Sequence, residues 1–209
     1  TLELLEPIFF MPFAGNYILG GNNFKKNKNL PLPEFIDAID FFKSKLNIKS
    51  IKSLPIMLNL YSSFCLNSKK QSDPYVPIDP QERKSYINKV ARYFKYDYEN
   101  DNYPSNEEIL NLFKQSMPRL KKKQIEVSLF EDLNLVFDIK GNNFVAFNLL
   151  DLNPKLATSI EHFKNFQRFK IDSRLLKRAL LGPHLANWNN IEIGAHLSFS
   201  RKPDVFRKD

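Results

Sequence analysis

The sequence predicts an α+β fold, and three observations carry that expectation. Short apolar runs flank an amphipathic helix near the start, helices with N-cap signals occupy the middle, and a hairpin signal precedes alternating apolar residues towards the end. With 209 residues, 43% hydrophobic and 13% aromatic, the chain has ample material for a packed core.

The run PIFFMP, bounded by prolines, reads as a short strand covered on both faces, and FAGNYILGGNN breaks it into a Gly/Asn-rich loop. After Pro33, residues Phe35, Ile39, Phe42 and Leu46 recur at helical spacing. IKSLPIMLNLYS follows as a second strand. Beyond Cys65, the polar stretch NSKKQSDPYVPIDP reads as a connection. Two capped helices follow, one at Asp79 with Pro80 and Glu82, the other at Ser105 with Glu108. The first is expected to bury Tyr86, Val90 and Tyr93. The second is expected to bury Ile109, Phe113 and Leu120, with Pro118 kinking or ending it.

In the last part, IEVSLF and LNLVFDI alternate as strands, KGNN is a tight turn and FVAFNLL is the returning strand. PKLATSIEHFKNF reads as a loop or short helix and RFKI as a strand. DSRLLKRALLG is a helix with Asp172 as N-cap and Gly182 past its end. IEIGAHLSFS alternates strictly, so a strand is expected, with His196 on its polar face.

The 31 Lys and Arg against 23 Asp and Glu leave a net charge of +8, which suits anionic partners. Only KKNK and RLKKK are dense, without interleaved aromatic residues, so nucleic acid is not the expected partner. The single cysteine excludes an internal disulfide and a multi-thiolate zinc site; Cys65, between Phe64 and Leu66, reads as a buried small hydrophobe. A reducing, cytoplasmic setting is expected, since no apolar run is long enough to span a bilayer and no signal peptide is legible. The chain opens at Thr1 without Met and stops at Asp209 in a charged run. A piece of a longer protein is therefore expected.

Three histidines stand apart in the sequence, and neither a GxSxG elbow nor a glycine-rich phosphate loop is present. Asp97, Glu99 and Asp101 alternate in an acidic, aromatic loop, a pattern of solvated acids more than of an oxygen-ligated metal. His184, Trp188, Asn189 and Asn190 follow the helix stop at Gly182 and read mainly as a stapled turn. A substrate-lining or interface role for them stays open.

The stretches IFFMPFAGNYILGGNNF, SLPIMLNL and LLKRALLGPHLANWNNIEIGAHLSFSRKPDVF carry a resemblance. Within them, PFAG (Pro12 to Gly15) and IG-x-H-x-x-x-x-R-x-P-D (Ile193 to Asp204) are the most specific. The chain resembles the C-terminal half of CMP-N-acetylneuraminate hydroxylase-like and UDP-N-acetylmuramate hydroxylase-like proteins, which join a Rieske iron–sulfur region to a metallo-β-lactamase-type αββα fold.

The resemblance implies three parts: residues 1–64 as the closing strand–loop–helix–strand of that fold, 65–123 as a helical connector, and 124–209 as a sterol-carrier-like α+β module. Phe13, Gly15, Asn16 and Tyr17 would then approach substrate, with His184, Trp188 and Asn189 as further lining candidates. The family's His-x-His-x-Asp-His metal motif would precede Thr1. Met57 stands near the place where many hydrolases of the fold put a metal-binding His after a Pro, a departure that argues against a standard two-metal hydrolase and that hydroxylase-like relatives share.

No metal is expected in this stretch itself; iron with an iron–sulfur cluster, or zinc, is implied for the longer protein. The expected function is hydroxylation of a nucleotide-linked amino sugar. Metal-dependent hydrolysis by the same fold is one alternative. A non-enzymatic module that binds an apolar ligand or pairs subunits into a homo-oligomer is another.

Overall fold

The computed structural model describes residues 2–11, 17–30, 35–48 and 52–205. The chain is mixed α+β and divides into two compact units, Thr1–Phe94 and Lys95–Asp209. Among the described residues no helix is long and apolar enough to cross a membrane.

In the first unit, a short helix α1 (Leu2–Leu5) precedes strand β1 (Phe9–Phe10), which pairs in parallel with β2 (Leu54–Pro55). Helix α2 (Phe35–Ile48) lies between them in sequence. Both strands are shorter than the apolar runs suggest. Leu54 N donates to Ile8 O and Ile56 N to Phe10 O, but Pro55 has no N–H with which to continue a ladder on its other edge. Phe42 of α2 meets Phe10 edge-on at 5.4 Å, and Ile39, Ile56 and Leu19 are buried.

A small antiparallel hairpin follows, β3 (Phe64–Cys65) with β4 (Lys70–Gln71). Neighbouring side chains on a strand point to opposite faces. Phe64 turns onto Phe9, with ring centroids 5.1 Å apart, and so sends Cys65 outward. The thiol expected in the core is exposed, and hydrogen bonds from Ser68 hold its pKa below the ordinary value.

Helix α3 (Pro80–Lys89) starts as expected, with Asp79 accepting from Gln81 N at 2.7 Å. Its expected apolar stripe does not form: Tyr86, Val90 and Tyr93 are all exposed. The chain tightens into a 3-10 turn at Ala91–Tyr93, and this change of period turns Ala91 inward in their place.

The second unit runs α4 (Asn106–Glu126), β5 (Asn134–Ile139), β6 (Asn143–Asn148), β7 (Lys155–Ala157), β8 (Phe166–Lys170), α5 (Ser173–Leu181), α6 (Trp188–Ile193), β9 (Ser198–Lys202). Its sheet has the order β7-β6-β5-β8-β9; β5 and β8 are parallel and the other pairs antiparallel. Phe137, Ile139, Val145 and Phe147 face Ile109 and Phe113 of α4 and Leu175 and Leu176 of α5. Val136, Phe144 and Ala146 form a smaller core on the other face, packed against Ile160, Phe163 and Phe166. Helix α4, expected within a connector, thus belongs to the core of the last sheet.

Two expectations fail here for local reasons. Helix α4 runs through Pro118 to Glu126, so IEVSLF is not a strand. The proline removes a hydrogen bond to the Lys114 carbonyl, but both residues lie on the solvent side. Further along, buried Gln124 donates to Leu149 O at 2.7 Å and anchors the last turns.

IEIGAHLSFS is likewise not one strand. Asn187 caps α6, Ile191 is buried at its centre, and Ala195 at φ 54° reverses the chain before β9. A period of two in sequence did not outweigh an N-cap followed by one anchoring isoleucine.

Candidate functional site

The C-terminal turn that gathers His184, Trp188 and Asn189 begins where α5 stops. Gly182 has φ 150°, a conformation that side-chain-bearing residues rarely adopt. A Cβ there would also fall 2.9 Å from His184 Nδ1. The His184 ring is thus packed on the bare glycine, with the rest of the residue exposed.

Arg119 of α4 donates to Leu180 O at 2.5 Å, satisfying a carbonyl at the helix end. Asn187 accepts from Asn189 N at 2.9 Å and so starts α6. Trp188 lies with its ring edge-on to Phe137, centroids 6.4 Å apart, and stays 39% exposed. Each of these residues has an architectural task, although Trp188 and Asn189 remain accessible.

A second polar cluster of this unit lies elsewhere, where residues 96–103 meet α5. Arg174 forks onto Asp172 (Nε to Oδ1 3.0 Å, Nη2 to Oδ2 2.8 Å) and sends Nη1 to Glu99 O at 2.7 Å. Its guanidinium also stands 4.3 Å from the Tyr103 ring centre. One turn on, Arg178 forks onto Asp101 at 2.6 and 2.8 Å, and Lys177 reaches Glu108 at 2.7 Å.

Asp101, which the sequence offers as a possible metal ligand, is therefore an arginine partner. The Arg178 bonds hold its carboxyl below the ordinary value. Burial pushes the Asp172 carboxyl up, but the bonds from Arg174 outweigh it and hold it low.

His196 closes the cluster. Its ring meets Tyr96 edge-on at 4.5 Å and Tyr98 at 5.7 Å, and the Tyr98 hydroxyl lies 3.3 Å from Nδ1. A Cβ on Gly194 would fall 2.8 Å from the His196 ring, so that glycine makes room for it. The alternating-strand expectation for His196 gives way to a half-buried histidine between tyrosines. Sequence reasoning missed Tyr96, Tyr98, Arg174 and Arg178 as a set. The signal was present as two arginines at i and i+4 in α5 and an acidic, aromatic loop bearing the opposite charge.

Burial, then the charges of Asp172 and Glu99, push the Tyr98 phenol up to about 12. A raised pKa means that its contribution is complete below the unfolded value near 10 and is lost as pH rises through about 12. Alkaline titration followed by phenolate absorbance should show a late-ionising component that is absent in Tyr98→Phe. Unchanged late absorbance in that variant would remove the assignment.

The remaining predicted residues are dispersed. Phe13, Gly15 and Asn16 lie outside the described residues. Tyr17 belongs to the first unit, where its carbonyl accepts from Arg83 Nη2 at 3.0 Å. His162 lines a hollow of about 610 Å³ beside β7 with Asn148, Asp151, Asn153 and Lys155.

Among the described residues no group of three or more His, Cys, Asp or Glu side chains stands close enough to hold a metal ion. No family model, curated protein or solved structure matches this chain.

Proposed function

We propose that this chain is the C-terminal part of a metallo-β-lactamase-type, hydroxylase-like enzyme acting on a nucleotide-linked amino sugar. The observation that carries the reading is the parallel pairing of β1 with β2, with α2 between them in sequence. Parallel strands require such a crossover, and open α/β sheets meet their ligands beyond the C-terminal ends of the strands. In the sequence, residues 12–16, with Phe13, Gly15 and Asn16, come after β1, and Met57 comes after β2. The net charge of +8 suits an anionic substrate.

In the second unit, a mixed sheet carrying α4 and α5 on one face supports the sterol-carrier-like reading. The metal that the resemblance implies does not fit the described residues, which offer no three-ligand group. Iron with an iron–sulfur cluster, or zinc, would have to be held outside them, and no chemical step is assigned to this chain.

Turnover by the longer protein tests the proposal. Hydroxylation of a CMP- or UDP-linked N-acetylamino sugar is expected. Hydrolysis without hydroxylation would favour a metal-dependent hydrolase of the same fold, and inertness towards such sugars would remove the substrate assignment.

One observation favours a second reading, a non-enzymatic module that carries an apolar ligand or pairs subunits. Leu181, Leu185, Trp188 and Ile193, all within the α5–α6 segment, are each at least 39% exposed. If that segment pairs subunits or carries lipid, Leu185→Ala with Trp188→Ala should abolish dimers in sedimentation or release co-purifying lipid. Indifference on both counts removes the reading.

A further inference from the structure

The first unit holds a groove that neither the enzymatic nor the module reading uses. It lies between the 3-10 helix Gly21–Asn29 and α3, has a volume of about 460 Å³, and counts the apolar Phe24 and Ile87 among its lining residues. A 3-10 helix has three residues per turn, so Lys25 and Lys28 stand one above the other on its rim. On α3, Arg83 and Lys84 follow Pro80 by three and four residues, with Ile87 a turn further, so one helix face supplies the opposite wall. Lys25, Lys28, Arg83 and Lys84 therefore all line one hollow, and no carboxylate is among its described lining residues.

The walls are fixed independently of any ligand. The Asn27 amide donates to Leu19 O and Phe24 O, each at 2.7 Å, while its oxygen accepts from Leu19 N at 2.8 Å. Next to the 3-10 helix, a Cβ on Gly20 would fall 3.0 Å from Phe94 Cβ and 3.1 Å from Ala91 O, so close backbone packing seats it on the Ala91–Tyr93 turn. Arg83 is held by its bond to Tyr17 O. Like charges gathered around a preformed hollow repel one another, and an anion that fills the hollow relieves that repulsion.

We propose that this groove binds a compact polyanion carrying two or more adjacent phosphoryl groups. Lysine ammonium groups suit phosphate as point charges, and Arg83, whose Nη2 already donates to Tyr17 O, adds positive charge to the wall. The volume lies within the range of small-molecule sites. The other dense basic run, Arg119–Lys123, belongs to α4 of the second unit, where Lys123 is paired with Glu126 and Arg119 with Leu180 O. The site is independent of the enzymatic reading and stands or falls separately from it.

Inorganic tripolyphosphate is the probe, titrated into the 209-residue chain at low ionic strength and followed by calorimetry and amide chemical shifts. Saturable one-to-one binding is expected, with perturbed amides at residues 24–28 and 83–88. Lys28→Glu and Lys84→Glu should each weaken it by about tenfold or more, while the charge-matched Lys121→Glu on α4 stays within about twofold. Unchanged thermal melting of the unliganded variants separates lost binding from lost folding, and Lys25→Gln repeats the test with a smaller charge change. Non-saturable binding overturns the proposal, as does equal weakening by Lys121→Glu. Much tighter binding of a single-stranded oligonucleotide or of anionic lipid vesicles at the same amides would assign the groove to a polymer or a membrane instead, and would overturn it too.

Discussion

Leu176→Ala should destabilise the second unit by about 2–5 kcal/mol, the cost of a large-to-small change at a site that cannot collapse. Leu176 is fully buried on α5, within the cluster that includes Ile109 and Phe113 of α4 and Phe137 of β5. Its removal takes away the transfer free energy of the side chain and leaves a cavity among neighbours fixed on two helices and a sheet. Trp188 is the only tryptophan and lies in this unit, so its fluorescence follows the relevant transition. The urea midpoint should fall by about 1–2 M with an unchanged slope. A loss below about 0.5 kcal/mol, the size of an ordinary surface substitution, would mean that α5 is not seated on the sheet as described.

Arg174→Ala should cost about 2 kcal/mol at neutral pH. The guanidinium and its partner Asp172 are both largely buried, and the substitution strands that carboxylate together with the Glu99 carbonyl. The pH dependence identifies the cause. A depressed carboxyl pKa contributes stability that is present above the unfolded value near 4 and is lost as pH falls through the lower folded value. The stability gap between the parent chain and Arg174→Ala should therefore narrow as pH drops below about 4. A gap that persists undiminished in acid would assign the loss to packing on Tyr103 instead of to the ion pair. Arg174→Lys should recover only part of it, because an ammonium cannot reproduce the fork.

The elements legible in the sequence are those whose ends carry their own chemistry. Asp79, Ser105 and Asp172 each cap a helix through a bond to a backbone N–H two or three residues on, and Gly182 ends α5. KGNN turns β5 into β6 with Gly141 at φ 76°. Where tertiary partners decide, local pattern misled. Pro118 did not stop α4 because its vacant acceptor faces water and Gln124 holds the helix beyond it. Ile191 to Phe199 alternate, yet burial of Ile191 against the core and the Asn187 cap make the first half a helix.

The candidate site was legible only in part for the same reason. Gly182 and Asn187 explain the turn around His184 and Trp188, but the tyrosines that enclose His196 lie about a hundred residues earlier in the chain. No local period signals that contact. The groove on the first unit was hidden likewise, since KKNK gains its meaning only when α3 brings Arg83 and Lys84 opposite.

Whether the metal of the proposed enzyme lies outside these residues is best tested by elemental analysis of the purified 209-residue chain beside the proposed longer protein. The expected result is stoichiometric iron or zinc in the longer protein and none retained by this chain after dialysis. Stoichiometric metal on the chain itself, lost on replacing His196 or His184 by Ala, would contradict it.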